Sequence, residues 1–477
     1  MGERVLEGMS ELKTKVWLSL IVIYCLLFSA CAQTEETIVT VPPELVNQDT
    51  LGMEPDFSYA VILQTPHIMI DQLGYRDHDK KSVFVKGIGI EENFQIRDDK
   101  TQEVIYTGNL HKVKELDTET LYMGDFSKLE KEGTYYIYHD QLGDSYPFVI
   151  ENSTYDQKFL NLQKEIKEYS YYEKADVGSL AYVLANMMFI QEMFPEAGVD
   201  SSFIEQQIKI LLQSNDVETG AFFSELLLSS AAGNTDLKDG SQMAPIGVII
   251  PDERNRTISL STTAEMAGVL AQYAALYKDK DSVFANQCLS CSQKAYTYVE
   301  AYRDNTDTDA WYYAAVQLLR ATGGYKYRNA INEYDAYTNE LKTSTKQGYT
   351  ILADFTYLAT KYGADYNRCN RLLNEYMNRA QNISVESLRE NFYVPANIGT
   401  MDDGEILNDM IVLGVINHIL SGQEYQGIQK NYLHYLAGTN LEVKDYLSEN
   451  IIIDEQTQEL DLTNAAKLLV IYSNLIT

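Results

Sequence analysis

Glu173 and Asp176 lie three positions apart, directly ahead of a long segment with helical periodicity. Carboxylates in such an arrangement can position a water molecule and remove its proton, and enzymes that hydrolyse glycosidic bonds use them in this way. The spacing therefore raises the hypothesis of sugar hydrolysis. The same chemistry needs a further carboxyl group elsewhere in the chain, which donates a proton to the leaving oxygen.

Both carboxylates also have a structural interpretation. Aspartate is a preferred N-cap residue, because its side chain accepts hydrogen bonds from the free amides of a helix's first turn. Asp176 therefore either caps the following helix or acts in chemistry, and the sequence leaves both possibilities open. Glu173 can equally be a solvated loop residue.

Residues 1–30 have the pattern of a bacterial signal peptide, with an apolar stretch at 17–30 that is too short to span a membrane comfortably. Its small residues before Cys31 resemble a lipobox, which predicts cleavage and lipidation of Cys31. An ordinary secretory signal, with a secreted product, is the alternative. We expect residues 31–57 to form a flexible tether and the protein to lie on the extracellular side of the cell membrane, which it contacts only through the lipid.

The chain has 477 residues and a formal net charge of −31. So acidic a surface repels phosphate backbones and anionic lipid, which argues against nucleic acid as a partner and favours a neutral ligand. Cys288 and Cys291 have C-x-x-C spacing without a second pair or a nearby histidine, and we expect both to face a helical core. The histidines are scattered and no glycine-rich phosphate loop stands out. We predict no metal site and no cofactor, although acidic loops such as Asp402-Asp403 leave calcium binding open.

Alternating apolar residues, broken by Gly, Asp or Asn, dominate residues 58–152. Alternation of this kind is typical of strands with one buried face. It predicts a small antiparallel β-sandwich with strands at 82–86, 94–97, 103–107, 134–138 and 146–150.

Residues 153–477 have helical periodicity throughout, apart from a non-periodic insert at 218–260. A helix count of about twelve suggests six hairpins closed into a ring, and an insert of that length in a loop region is often functional. The predicted helices lie near 156–170, 177–194, 201–213, 262–277, 284–302, 309–322, 326–339, 346–361, 365–380, 404–420, 425–436 and 463–475.

Several short strings link both regions to known proteins. The β-rich region contains DQLGYR at 71–76, YTG at 106–108, GDFS at 124–127, GTY at 133–135 and SYPF at 145–148. In this order they resemble the N-terminal immunoglobulin-like module of cellulases. The helical region contains LSTTA at 260–264, AGVLAQ at 267–272, RATG at 320–323 and YLAGTN at 435–440, which resemble strings of the glycoside hydrolase family 9 catalytic domain. The resemblance implies an immunoglobulin-like β-sandwich followed by an (α/α)6 barrel.

The resemblance also assigns residues to the chemistry. Family members carry G-W-x-D-A-G-D-Y, in which the second Asp activates the water and the first helps to hold it. Asp176 takes the place of this base, Glu173 that of its helper, and Tyr172 beside them is expected to bind substrate. The longer side chain of Glu173 displaces its carboxylate, and a misplacement of that size can lower a rate sharply.

The general acid of the family is the Glu of N-E-x-x-x-x-x-N-A, which follows a His-His-Arg substrate segment. This chain has no His-His-Arg, and counting back six positions from Asn464 reaches Gln458. We assign the acid to Glu459, which lies one position away. If the ungapped alignment, here called the Gln458 register, is correct, the chain has no general acid at this place. A structural interpretation of Glu459 is also open, because acidic residues are stabilised near helix N-termini.

The resemblance thus implies a cellulase-like glycoside hydrolase that cleaves β-1,4-glucan, as polysaccharide or oligosaccharide, with inversion. Two alternatives follow from the absence of the His-His-Arg segment and from the scarcity of tryptophan, since Trp311 is the one tryptophan outside the signal region. The first is a non-catalytic surface lipoprotein that binds glucan or assists exopolysaccharide processing, and the second is a barrel that contacts only a protein partner. The sequence leaves open whether the chain is an active enzyme.

Overall fold

A computed structural model describes residues 67–169, 174–227, 257–303, 308–341, 346, 348–361, 363–453 and 459–476. The predicted signal segment, Cys31 and the predicted tether lie outside these residues, so their assignment stays a prediction. Within the described residues, no helix combines the length and the apolar character needed to cross a membrane.

The first domain is an antiparallel β-structure in the strand order β1-β2-β5-β4-β3-β6-β7, with β8 paired to β6. The long β4 pairs with β3 through its first half and with β5 through its second half, so that one strand belongs to both layers of the sandwich. All five predicted strands are present; the sequence analysis missed the short β1 and β7 and the whole of β5. The strands are β1 Ile68–Met69, β2 Ser82–Gly87, β3 Asn93–Asp98, β4 Val104–Glu115, β5 Thr120–Asp125, β6 Gly133–His139, β7 Gly143–Asp144 and β8 Phe148–Ile150.

Alternation of side chains builds the core of this domain. In β3, Phe94 and Ile96 are buried, as expected for one face of a pleated strand. The ring of Phe94 lies over Gly108 of β4 and Gly124 of β5, where an added Cβ would approach it to 2.3 and 2.4 Å. Glycine at both positions therefore leaves room for the Phe94 ring.

The second domain is helical and agrees closely with the predicted periodicity. Each of the twelve predicted helices is present, and most bounds differ from the prediction by one to three residues. In the described residues the α-helices are α1 Thr154–Tyr169, α2 Val177–Met193, α3 Ser201–Leu211, α4 Leu260–Tyr277, α5 Ser282–Tyr302, α6 Thr308–Thr322, α7 Tyr325–Leu341, α8 Gly348–Ala359, α9 Tyr366–Ser387, α10 Asp403–Ile419, α11 Glu424–Leu436 and α12 Leu462–Ile476.

The even-numbered helices form a closed inner ring, because α2, α4, α6, α8, α10 and α12 each contact the next and α12 contacts α2. The odd-numbered helices lie outside and contact their inner partners. Inner helices are buried all round, as in α2, where residues 180–190 are buried without interruption. Outer helices are amphipathic, as in α1, which buries Phe159, Leu162 and Ile166. This arrangement is the predicted (α/α)6 barrel.

The two domains share an interface built from two of the strings noted in the sequence. Gln72 donates its backbone N–H to Ala437 O at 2.7 Å, and Arg76 donates a guanidinium N–H to Leu475 O at 2.7 Å. His434 Nδ1 lies 2.8 Å from the buried Asp71 carboxylate. Gly438 has φ +117°, and a Cβ there would stand 2.8 Å from Ile70 O, so only glycine permits this approach.

Candidate active site

The N-terminal ends of all six inner helices line one cavity of about 450 Å³. An outer helix leads into every inner helix, so the six inner helices run in the same direction and open at the same end of the barrel. Their partly positive N-termini favour carboxylates at this end. The lining residues are Asp176, Gly178, Ser179, Tyr182, Thr262, Glu265, Asp309, Gly348, Tyr349, Asn408, Thr463 and Lys467.

Asp176 lies at the mouth of this cavity and is the N-cap of α2. Its Oδ2 accepts a hydrogen bond from Ser179 N at 2.7 Å, and the Ser179 hydroxyl donates to the same oxygen. The preceding residues form a short strand, β9 Lys174–Asp176, which pairs with a later strand at Glu225–Leu227. The two interpretations of Asp176 are therefore compatible, since it caps a helix and its carboxylate also faces the cavity.

Glu265 is a second carboxylate of this site. It lies in the second turn of α4, where Ser261 Oγ donates a hydrogen bond to it at 3.4 Å. A Cβ built on Gly178 would stand 2.5 Å from Glu265 Oε2 and 3.6 Å from Asp176 Oδ2. Gly178 thus lets two carboxylates from neighbouring inner helices approach the same point.

Asp309 is a third carboxylate of the cavity and lies in the first turn of α6. Desolvation by the surrounding protein raises the pKa of the Asp309 carboxyl, although hydrogen bonds from Thr350 and Tyr334 oppose the shift. The Tyr334 hydroxyl donates to Asp309 Oδ1 at 3.2 Å. A carboxyl with a raised pKa holds its proton to higher pH, which is the property required of a proton donor.

Hydrogen-bond donors occupy other positions of the same cavity. They are the Tyr349 hydroxyl from α8, the Asn408 amide from α10 and the Lys467 ammonium from α12. Burial is the main cause that lowers the pKa of Lys467, while Asp461, Asp402 and Asp403 oppose that shift. Burial likewise raises the pKa of Tyr349 well above its ordinary value, so the hydroxyl keeps its proton.

A buried ionic network fixes the segment that leads into α8. Asp354, which is fully buried, accepts hydrogen bonds from Tyr376 Oη and Lys346 Nζ, both at 2.9 Å, and from the Tyr312 hydroxyl. Arg379 donates to Lys346 O at 2.8 Å and pairs with Asp409, the neighbour of Asn408. Lys346 is thus held from two sides, close to the point where Gly348 and Tyr349 enter the cavity.

The predicted site residues are only partly described by the structure. Glu173 and Tyr172 lie outside the described residues. Glu459 is exposed, and its Oε2 accepts a hydrogen bond from the Tyr169 hydroxyl at 3.2 Å. That contact brings Glu459 to the end of α1, seven residues before Asp176, but Glu459 does not line the cavity described above. Its role as the acid stays a prediction.

Other residues singled out in the sequence have structural positions. Trp311 is buried in the helical domain, and its indole donates a hydrogen bond to Glu300. Cys288 is buried in α5, and burial raises the pKa of its thiol to about 12. Within the described part of the chain, no group of three or more His, Cys, Asp or Glu side chains is suited to hold a metal ion.

Glu265, Tyr349, Asn408 and Lys467 were not predicted from the sequence as residues of the site. The sequence does contain a pattern that could have identified them, because each is a polar residue in the first two turns of a helix that is apolar all round. Polar residues at the start of such helices face the open end of the ring, whereas polar residues further along lie in the core. To use this pattern, one must first know which helices form the inner ring.

Two family descriptions match the chain. Residues 63–144 match the cellulase N-terminal ig-like domain, and residues 244–450 match glycosyl hydrolase family 9. No curated protein sequence matches the chain.

Solved structures of similar architecture match most of the chain. A metagenome-derived glycoside hydrolase family 9 endoglucanase is 16% identical with a TM-score of 0.65, over 86% of this chain and 98% of that chain. The Bacteroides ovatus GH9 structure is 16% identical with a TM-score of 0.64, over 86% of this chain and 98% of that chain. A mutant thermostable endoglucanase from Alicyclobacillus acidocaldarius is 15% identical with a TM-score of 0.63, over 87% of this chain and 100% of that chain. At such identities the likeness concerns the fold.

Proposed function

We propose, on the premise that this chain belongs to glycosyl hydrolase family 9, that it is a cellulase-like glycoside hydrolase that acts on β-1,4-glucan. The observation that carries the proposal is the cavity at the N-termini of the six inner helices, in which Asp176 is accompanied by two further carboxylates. Hydrolysis of a glycosidic bond requires one carboxylate to deprotonate water and one carboxyl to protonate the leaving oxygen.

The proposed reaction is a single displacement with inversion. Asp176 removes a proton from water while Glu173 helps to hold that water. The water oxygen bonds to the anomeric carbon as the bond from that carbon to the leaving oxygen breaks, and Glu459 gives its proton to the leaving oxygen. Inversion requires roughly 6.5–9.5 Å between the base and acid carboxyl groups. The proximity of Glu459 to the segment that precedes Asp176 supports this pairing.

The test is hydrolysis of a soluble β-1,4-glucan by protein without residues 1–30. We expect new reducing ends whose initial anomer is α, as followed by proton NMR, and a loss of rate of about 10²- to 10⁴-fold in Asp176→Asn. Asparagine is itself a good N-cap, so the fold should be retained.

Asp281→Asn is the matched control. Asp281 caps α5 through Val283 N and Phe284 N and does not line the cavity. Its substitution should leave the rate unchanged. Equal rates for Asp176→Asn and the unaltered protein would remove Asp176 from the reaction.

The second candidate function is a non-catalytic glucan-binding lipoprotein, held by a lipid on Cys31 at the extracellular side of the membrane. The absence of a His-His-Arg segment and the Gln458 register favour it. It predicts that β-1,4-glucan oligosaccharides bind the purified protein without being cleaved, and turnover that depends on Asp176 excludes it. Metabolic labelling with a fatty acid tests the anchor, since Cys31→Ser should abolish the label, whereas a secreted protein is never labelled.

A further inference from the structure

We propose that Tyr349, Asn408 and Lys467 form a donor wall that binds the oxygen atoms of a neutral sugar residue and selects neutral glycans over anionic ones. The inference rests on the proposed function, because it concerns the same cavity, but it assigns recognition to residues outside the proposed base, helper and acid. These residues come from three successive inner helices, α8, α10 and α12.

Two members of the donor wall have polar atoms that nothing in the described part of the chain satisfies. Asn408 is 1% exposed, and its Nδ2 has no hydrogen-bond partner there, while its Oδ1 accepts from Gly348 N at 3.4 Å. The Tyr349 hydroxyl is also without a partner. A buried donor without an acceptor destabilises the fold, so such groups are retained where a ligand or ordered water meets them.

Lys467 is the third member and is 6% exposed. Its Nζ has one long hydrogen bond, to Gly404 O at 3.5 Å, and among the described residues no carboxylate lies within ion-pair distance of it. An ammonium group can donate three hydrogen bonds. Lys467 therefore has donor capacity directed at a cavity whose other donors are also unsatisfied.

The remaining charges of the cavity decide the kind of ligand. Asp176, Glu265 and Asp309 line the same space and repel the carboxylate of a uronic acid. A sugar hydroxyl both accepts and donates, so a neutral hexose residue can accept from the donor wall and donate to the carboxylates. A volume of about 450 Å³ lies within the range usual for ligand sites.

Binding calorimetry on the Asp176→Asn background tests the donor wall, since that background prevents hydrolysis during the titration. The probe is a β-1,4-linked glucose tetramer. Tyr349→Phe and Asn408→Ala should each weaken binding by about 3- to 10-fold, and Lys467→Met by more than about 10-fold, as expected for neutral and charged hydrogen bonds. Tyr349→Phe keeps the ring contacts with Tyr182 and Tyr313, so its fold should be unchanged.

Tyr327→Phe is the matched control. Tyr327 is buried in α7 with an unpartnered hydroxyl but does not line the cavity, so its substitution should not alter affinity. Unaltered affinity in all three wall variants would overturn the proposal. So would a tetramer containing glucuronate that binds as tightly as the glucose tetramer.

The two proposals fail separately. Binding that depends on the donor wall, in a protein that never cleaves the tetramer, supports this inference and rejects the hydrolase. Cleavage that depends on Asp176 but not on the donor wall supports the hydrolase and rejects this inference. A protein that binds neither tetramer rejects the donor wall.

Discussion

At the scale of single residues, the site depends on the absence of a side chain at Gly178. Alanine at position 178 would introduce a Cβ at 2.5 Å from Glu265 Oε2, and Glu265 would have to move. Because alanine is also the better helix former, by about 0.5–1 kcal/mol, we expect Gly178→Ala to reduce glucan binding or turnover at least about 10-fold without a matching loss of stability. Denaturant unfolding and the activity assay measure the two effects separately.

Gly427→Ala provides the control for that substitution. Gly427 is an exposed residue of α11, and a Cβ there would meet nothing within 4 Å. Its substitution should raise the free energy of unfolding by about 0.5–1 kcal/mol and leave activity unchanged. If Gly178→Ala behaves like Gly427→Ala in both assays, the close approach of Glu265 has no functional consequence.

At the scale of elements, α8 depends on a buried carboxylate. Asp354 accepts hydrogen bonds from Tyr312, Tyr376 and Lys346, so its removal leaves two buried hydroxyls without an acceptor and Lys346 paired only with Glu375. We expect Asp354→Ala to lower the free energy of unfolding by about 3–5 kcal/mol, as measured by urea titration. Asp365→Ala, which removes only the N-cap of α9, should cost about 1 kcal/mol. Similar costs for both would show that the network contributes little.

At the scale of the whole molecule, an ion pair between Asp79 and Lys430 joins the β-domain to the barrel. Lys430 Nζ lies 2.5 Å from Asp79 Oδ1, and the Asp79 side chain is 4% exposed. Burial by itself raises the pKa of Asp79, but the charge and hydrogen bond of Lys430 and the Arg76 amide outweigh it and leave the pKa lowered. A carboxyl whose pKa is lower in the folded than in the unfolded state stabilises the folded protein at pH values above the unfolded-state pKa, which is about 3.9 for Asp. This stabilisation is lost as the pH falls through the folded-state pKa.

We therefore expect Lys430→Met to destabilise the protein by about 3 kcal/mol near neutral pH, and the difference from the unaltered protein to shrink as the pH falls below about 4. Thermal unfolding at several pH values measures it. Lys164→Met, which breaks an exposed pair with Glu168 on α1, should change stability by less than about 1 kcal/mol at every pH. A pH-independent difference for Lys430→Met would mean that Asp79 does not depend on Lys430 for its ionisation.

The chain's own periodicity predicted most of the elements. Apolar residues recur at helical spacing in α1 and continue without interruption in α2, and local repetition of this kind survives in any tertiary context. The strand β5 was missed because its string TLYMGD is buried at two adjacent positions instead of alternating. Strand β9 was not predicted, because only its pairing with a segment some fifty residues later makes these residues a strand.

The sequence by itself determined the order of a β-domain and twelve helices, and the position of Asp176 ahead of an inner helix, since both depend on neighbouring residues. Tertiary structure alone decided that Glu265, Asp309, Asn408 and Lys467 face Asp176. These residues are far apart in the chain, and only the closure of the ring, through contact of α12 with α2, brings the N-termini of the inner helices to one cavity. The physical reason is that burial of six apolar helices against one another aligns them, whatever their distance along the sequence.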